Sequence, residues 1–224
     1  MKLLEEFGLN STKISKFEQY LDLLLEWNEK FNLTAITDKD EIEEKHFIDS
    51  IEILKYFDLK NKTLIDIGSG AGFPGIPLAI AEPTLEVTLL EATGKRVKFL
   101  NEAVSKLGLT NVKVIQGRAE ELGTREKYDI VTARAVKELN ILLEISFYLA
   151  KVGGSFIGYK SSAVDEEIKN AKNAFKILQI EDYKKVEYLL PKSKNPRVFV
   201  EILKKNKTPK KYPRVYGEIS KTPL

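Results

Sequence analysis

Cysteine is absent from this 224-residue chain, and histidine occurs once. The first absence excludes disulfides, zinc–thiolate sites and cysteine nucleophiles. The second excludes a histidine-rich metal centre, and no metal is expected. Long uncharged apolar stretches are missing too. The N-terminal residues Met1-Lys-Leu-Leu-Glu-Glu6 lack the apolar core of a signal peptide. No membrane partner is therefore expected, and the cytoplasm is the expected location. What is present is a chain with 43% hydrophobic and 31% charged residues, long enough to bury a full core. It reads as soluble, globular and monomeric.

The net charge of +3 hides a split. Residues 1–60 carry eight lysines against fourteen carboxylates, whereas residues 191–214 carry nine Lys/Arg against one Glu. An anionic partner and a merely solubilising tail are both consistent with that asymmetry.

The stretch Thr63-Leu-Ile-Asp-Ile-Gly-Ser-Gly-Ala-Gly-Phe-Pro-Gly75 organises the rest. Thr63 to Ile67 is a short apolar run with β-branched residues, which predicts a buried strand. Four glycines and Pro74 follow, then an apolar segment from Ile76 that suits a helix. Strand, glycine turn, helix is how an open α/β sheet cradles a cofactor, because backbone N–H groups approach where a Cβ would clash. Gly70-Ala-Gly72-Phe-Pro-Gly75 is a literal G-x-G-x-x-G, so a dinucleotide is one reading. Its register is wrong: the motif should open directly after the strand, where Gly68 stands, and the third glycine position is then Phe73. Asp66 ending the strand before Gly68-Ser-Gly70-Ala-Gly72 is similar to the S-adenosylmethionine methyltransferase pattern. That donor carries an ammonium for a carboxylate such as Asp66 to hold.

Around this stretch the chain divides into three. Residues 1–60 form an N-terminal helical segment packed on the core. Ser11 or Thr12 caps one helix, and Asp38 or Asp40 caps a second bearing Ile42, Phe47, Ile51 and Leu54 on one face. His46 lies in the second helix and reads as structural. Residues 61–204 alternate strands and helices, which predicts a mostly parallel sheet. Its further strands are Glu86–Leu90, Asn111–Ile115, Tyr128–Ala133 and Ser155–Tyr159. Its later helices run from about Glu138 to Lys151 and from about Ser161 to Leu178. Val186–Leu190 and Arg197–Leu203 are joined too closely for a helical crossover and predict an antiparallel edge hairpin. Residues 205–224 form a basic, proline-containing tail without apolar period.

Ligands of open α/β sheets bind at the strands' carboxyl ends. Four groups gather there: the glycine turn, Glu91 after the second strand, Gly117-Arg-Ala-Glu120 after the third, and Arg134 after the fourth. Glu91 is spaced from Gly68 as expected for a carboxylate on a ribose diol. Helix capping for the two glutamates and a surface ion pair for Arg134 are the alternatives. Lys95, Arg96, Arg118, Lys160 and Arg197 are candidate RNA contacts, with solvated surface charge as the competing reading.

These residues carry a resemblance to the RsmG (GidB, glucose-inhibited division protein B) family of 16S ribosomal RNA guanine-N7 methyltransferases. Trp27–Thr37, Lys45-His-Phe-Ile-Asp-Ser50, Asp66–Pro77, Leu89–Leu100, Gly117–Glu120, Thr132–Ala135 and Tyr212-Pro-Arg match it. The Phe-Pro-Gly-Ile-Pro extension is more specific than the glycines. Glu91 departs from the Asp common in the family, but it keeps a carboxylate there. The resemblance implies a class I S-adenosylmethionine-dependent fold, Rossmann-like, with a mostly parallel seven-stranded sheet and an antiparallel edge hairpin. It implies S-adenosyl-L-methionine as cofactor, 16S ribosomal RNA or the small subunit as partner, and cofactor contacts from Asp66, Gly68, Gly70, Phe73, Glu91, Ala92, Thr93, Ala119, Glu120 and Arg134. Arg134 is the expected catalytic residue.

The residue chemistry agrees. Pyrimidine-carbon methylation normally needs a cysteine nucleophile, and the signature of exocyclic-amine enzymes is absent, Asn195-Pro-Arg being its nearest approach. Guanine N7 offers a free lone pair, so alignment suffices and no general base is required. Composition leaves ribose O-methylation open. The competing classes are a nicotinamide-dependent oxidoreductase and a non-catalytic RNA-binding or ribosome-assembly factor.

Overall fold

Strand β1 (Thr63–Ile67) holds the middle of the molecule, with its last four residues buried. Each fully buried Leu or Ile contributes about 1.5–3 kcal/mol, which suits this apolar run to a position covered on both faces. A computed structural model describes residues 1–224. It shows one seven-stranded sheet in the order β3-β2-β1-β4-β5-β7-β6, where β2 is Glu86–Glu91, β3 Val112–Gln116, β4 Tyr128–Arg134, β5 Ala150–Ser161, β6 Lys184–Leu189 and β7 Pro196–Leu203. The first five strands pair in parallel. β7 runs antiparallel to both β5 and β6, as the edge hairpin predicts.

One face of the sheet is covered by α5 (Gly75–Ala81), α6 (Gly94–Lys106) and the N-terminal helices, which share a core with Leu64, Val87 and Leu89. The other face is covered by α7 (Leu139–Ser146), α8 (Val164–Asn170), α9 (Lys172–Ile177) and the C-terminal segment. No helix is long and apolar enough to cross a membrane.

Several expected boundaries move. The N-terminus holds α1 (Lys2–Glu6) and α2 (Ser11–Phe31). The cap of α2 is Asn10, not Ser11 or Thr12; its Oδ1 accepts from Lys13 N–H at 3.0 Å. The second expected helix does start at Asp38, but it is continuous only in outline. It runs from α3 (Lys39–Ile42) through a π-helical turn, Glu43–Ile48, into α4 (Asp49–Ile51) and a 3₁₀ turn, Glu52–Lys55. Such π turns often mark functional positions, and this one contains His46. The expected helix 138–151 stops at Ser146, because Ala150 already pairs with Tyr128. A register shift between Tyr128 and Ile130 lets β5 absorb Gly153-Gly154 instead of turning there. The expected helix 161–178 breaks at Ala171. Val164, Ile168, Ala171, Ala174 and Leu178 are buried on both sides of that break, so the apolar period continues through it and hides it.

The tail is the largest departure. Tyr212, Ile219 and Leu224 are buried beside α7, and α10 spans Tyr216–Lys221. Three apolar anchors are too sparse to register as a period, yet each finds a place in the core.

Candidate active site

The carboxyl ends of β1 to β4 surround a cleft of about 270 Å³. Gly68, Glu91, Ala92, Ala119 and Glu120 stand in its walls. A larger hollow of about 510 Å³ lies at the opposite ends of the strands, among Thr63, Glu86, Val112 and Tyr128. It brings together none of the groups singled out by sequence, so the smaller cleft is the chemically equipped one.

Backbone geometry builds the first wall. Gly68 has φ +67°, and a Cβ there would meet Val136 Cγ2 at 3.0 Å. Gly68 and Ser69 N–H groups donate to Leu90 O at 2.8 and 3.0 Å, tying the glycine turn to the end of β2. Tyr20 of α2 donates its hydroxyl to Ala71 O, so the N-terminal helices buttress the turn from behind. Gly75 allows α5 to approach the sheet: a Cβ there would lie 2.2 Å from Leu89 Cδ2.

Three carboxylates then line the strand ends. Asp66 is fully buried; its Oδ2 accepts from Gly75 N–H at 3.1 Å, and its Oδ1 has no partner. Burial pushes its pKa from 3.8 up to about 7, opposed by the Gly75 hydrogen bond. Glu91 bridges two turns, accepting from Gly70 N–H at 2.9 Å and Thr93 N–H at 2.8 Å. Thr93 caps α6, so Glu91 supports a helix start as well as lining the cleft. Glu120 follows β3, and its buried Oε1 also lacks a partner. Tyr148 fixes the neighbouring Ala119 by donating to its carbonyl at 2.6 Å.

Arg134 and Phe73 form a second cluster with His46. The His46 ring stacks on Phe73 with centroids 4.6 Å apart, and the Arg134 guanidinium lies 5.0 Å from the Phe73 centroid. Arg134 donates to Asp49 Oδ2 at 3.0 Å and to Lys45 O at 3.3 Å, and its Nη2 is 3.4 Å from His46 Nδ1. Arginine has no acceptor, so Nδ1 accepts and Nε2–H donates to Thr34 Oγ1, 2.8 Å away. Burial first, and then the Arg134 charge, hold His46 neutral, with its pKa lowered to about 3. No group of three His, Cys, Asp or Glu side chains is disposed to hold a metal ion.

The family model described as GidB, rRNA small subunit methyltransferase G, matches residues 13–194. The chain belongs to this family. A GidB relative from Acetivibrio thermocellus, named ribosomal RNA small subunit methyltransferase G, is 50% identical over 97% of this chain and 92% of its own. A relative of the same name from Exiguobacterium sp. is 46% identical over 98% and 94%. Among solved structures, TYW2 from M. jannaschii in complex with AdoMet superimposes with TM-score 0.55 at 18% identity, covering 70% of this chain and 74% of that one. A methyltransferase from Pyrococcus furiosus gives 0.58 at 16% identity over 70% and 82%. These likenesses establish the class I methyltransferase fold. GidB membership does not favour the oxidoreductase or the non-catalytic alternative.

Within this GidB fold the predicted residues separate into three groups. Gly68, Glu91, Ala92, Ala119 and Glu120 share the cleft, with Arg96 and Arg118 also in its walls. Asp66 lies buried at the end of β1, Gly70 and Thr93 hydrogen-bond to Glu91, and Phe73 and Arg134 belong to the His46 cluster. Lys160 and Arg197 both pair within the protein. Lys160 is largely buried, 2.5 Å from Glu167 and 3.1 Å from Lys137 O. Arg197 Nε lies 3.4 Å from Asp49. Sequence reasoning missed His46 and Asp49 as site residues. Their signal was the Lys45–Ser50 motif, which has no glycine turn or strand end to declare it. Val136 and Tyr216, both in the cleft wall, gave no signal at all.

Proposed function

We propose that this chain transfers the methyl group of S-adenosylmethionine to N7 of a guanine in 16S ribosomal RNA, acting as a cytoplasmic monomer on the small subunit or its RNA. The site suits that cofactor. Two buried carboxylate oxygens, Asp66 Oδ1 and Glu120 Oε1, have no partner in the protein, and a buried orphan acceptor calls for a donor. An ammonium and an exocyclic amine are such donors. Asp66, Gly68, Gly70 and Phe73 would hold the amino-acid part, Glu91 with Ala92 and Thr93 the ribose, and Ala119 and Glu120 the adenine, while Arg134 approaches from the β4 side. When bound, the cofactor supplies an electrophilic methyl on a sulfonium.

The observation that supports the choice of N7 is that the side chains beside Arg134 are already engaged, the Asp49 carboxylate accepting from Arg134 and from the Tyr188 hydroxyl. Arg134 stays protonated, and His46 is held neutral with Nδ1 already accepting from it. These groups position and do not take up a proton. Guanine N7 asks for no more, since its lone pair is free; alignment by fixed side chains is then the chain's contribution. Arg96 and Arg118 stand in the cleft wall and Lys95 precedes Arg96 on α6; all three are exposed, Arg96 lying 3.9 Å from Glu91, and they would meet RNA phosphates.

Transfer of labelled methyl to ribosomal RNA, followed by nucleoside identification, tests this reading. The expected product is 7-methylguanosine. Single-turnover rates at saturating cofactor should be flat from about pH 7 upward, since no base must be unmasked. A rate rising tenfold per pH unit would move the target to an atom that must lose a proton, such as a ribose hydroxyl.

A further inference from the structure

The C-terminal segment turns back onto α7 and closes one side of the cleft. Arg214 donates through Nε and Nη2 to the two oxygens of fully buried Glu144, both at 2.6 Å. Asn140 Nδ2 donates to Leu224 O at 3.1 Å, and Ile219 is fully buried. A buried ion pair fixes where a segment sits more than it adds to net stability. Carried between these anchors, Tyr216 opens α10 and stands half-buried in the cleft wall with Ala119, Glu120 and Ile145. Arg214, Tyr216, Ile219 and Leu224 lie beyond residues 13–194, the part matched by the family model.

We propose that Tyr216 is a cofactor-binding residue, presenting its ring to the face of the purine. The proposal rests on the methyltransferase reading above. A purine needs an edge partner and a face partner. Glu120 Oε1 supplies a buried acceptor for the edge, and Tyr216 is the aromatic side chain in the cleft wall available for the face. Ala119 and Ile145 give that wall aliphatic surface, and Arg118 and Lys137 give it charge. Arg118 and Lys137, which also line the cleft, stand over the Tyr216 ring 5.4 and 5.8 Å from its centroid; a purine stacking on the ring would displace one of them, and their charges raise a competing role for Tyr216 in RNA binding. The C-terminal segment is thereby part of the cofactor site rather than an appendage.

Calorimetry on the full chain with two ligands tests this. S-adenosylhomocysteine carries both halves of the cofactor, and 5′-methylthioadenosine lacks the amino-acid half. Tyr216→Ala should weaken both by the same factor, about tenfold or more, the scale of one lost base–aromatic stack. Tyr216→Phe should bind both like the wild type. Unaltered binding of both ligands by Tyr216→Ala overturns the proposal. So does a loss seen only in ribosomal RNA binding, which would make Tyr216 an RNA contact. A wild-type chain that binds neither ligand overturns the cofactor reading and this proposal together, whereas a wild type that binds both while Tyr216→Ala matches it overturns this proposal alone. Thermal melting without ligand checks that each variant is folded.

Discussion

Arg134 Nη1 lies 3.0 Å from Asp49 Oδ2, and this pair joins the last residue of β4 to the helical segment that precedes the sheet. The side chains are 14% and 6% exposed, so the pair is largely desolvated. Asp49 also accepts from the Tyr188 hydroxyl at 2.9 Å. One carboxylate thus gathers the parallel sheet, the π-helical turn and the edge hairpin around the site.

Removing Asp49 should cost more than a surface pair would. Asp49→Ala leaves the Arg134 charge buried without its partner, a loss of about 3–5 kcal/mol. Asp49→Asn keeps an acceptor and should lose less. Chemical denaturation reads both, and a midpoint unchanged in Asp49→Ala would show that water screens the pair. Arg134→Lys, unable to span Asp49, Lys45 O and His46 together, should bind cofactor more weakly while remaining folded.

Glu91 has two duties, and a variant should expose both. Each hydrogen bond to its carboxylate is worth about 1.5–3 kcal/mol. Glu91→Ala should therefore weaken cofactor binding and also lower stability, since the Gly70 and Thr93 N–H groups lose their acceptor. Glu91→Asp should be milder in both. Measured stability loss with wild-type cofactor affinity would reduce Glu91 to a turn clamp.

Asp66 gives the ligand-free protein an unusual pH response. Its folded-state pKa of about 7 exceeds the ordinary 3.8, so the folded chain holds a proton that the unfolded chain has released. The stability this group contributes is fully present below about 3.8 and is lost as pH rises through about 7. Asp66→Asn should flatten that part of the urea-midpoint curve. An ammonium requires the ionised carboxyl, so wild-type affinity for S-adenosylhomocysteine should rise as pH passes through about 7, and the rise should vanish in Asp66→Asn. A wild-type affinity independent of pH would remove Asp66 from the ammonium.

The basic stretch 191–214 is less available to RNA than its charge suggests. Lys204 is 1% exposed and donates to the carbonyls of Phe147, Tyr148 and Ala150. Burial lowers its pKa to about 8. Lys204→Ala should therefore destabilise the fold without altering the salt dependence of RNA binding. Neutralising Lys95, Arg96 and Arg118 should instead flatten that dependence by about one unit of slope per lost phosphate contact. Filter binding across a salt series separates the two outcomes, and an unchanged slope in the second set would place the RNA elsewhere.

The sequence by itself determined what is local. The apolar run 63–67, the glycine turn and the alternation of strand and helix follow from side-chain period and backbone freedom over a few residues, and they place Asp66, Gly68, Glu91 and Glu120 at strand ends. Tertiary structure alone decided where distant residues meet. Neighbouring residues give no sign that Asp49 would claim Arg134, that Glu167 and Asp49 would occupy Lys160 and Arg197, or that Lys204 would be buried. Nor does the tail's composition reveal that Glu144 would draw Arg214 inward and bring Tyr216 to the cleft. Apart from Lys160 with Glu167, which join the neighbouring β5 and α8, each of these pairings spans elements far apart in the chain. A buried charge needs a partner, and strand order and packing, not sequence spacing, settle which group comes near enough to serve.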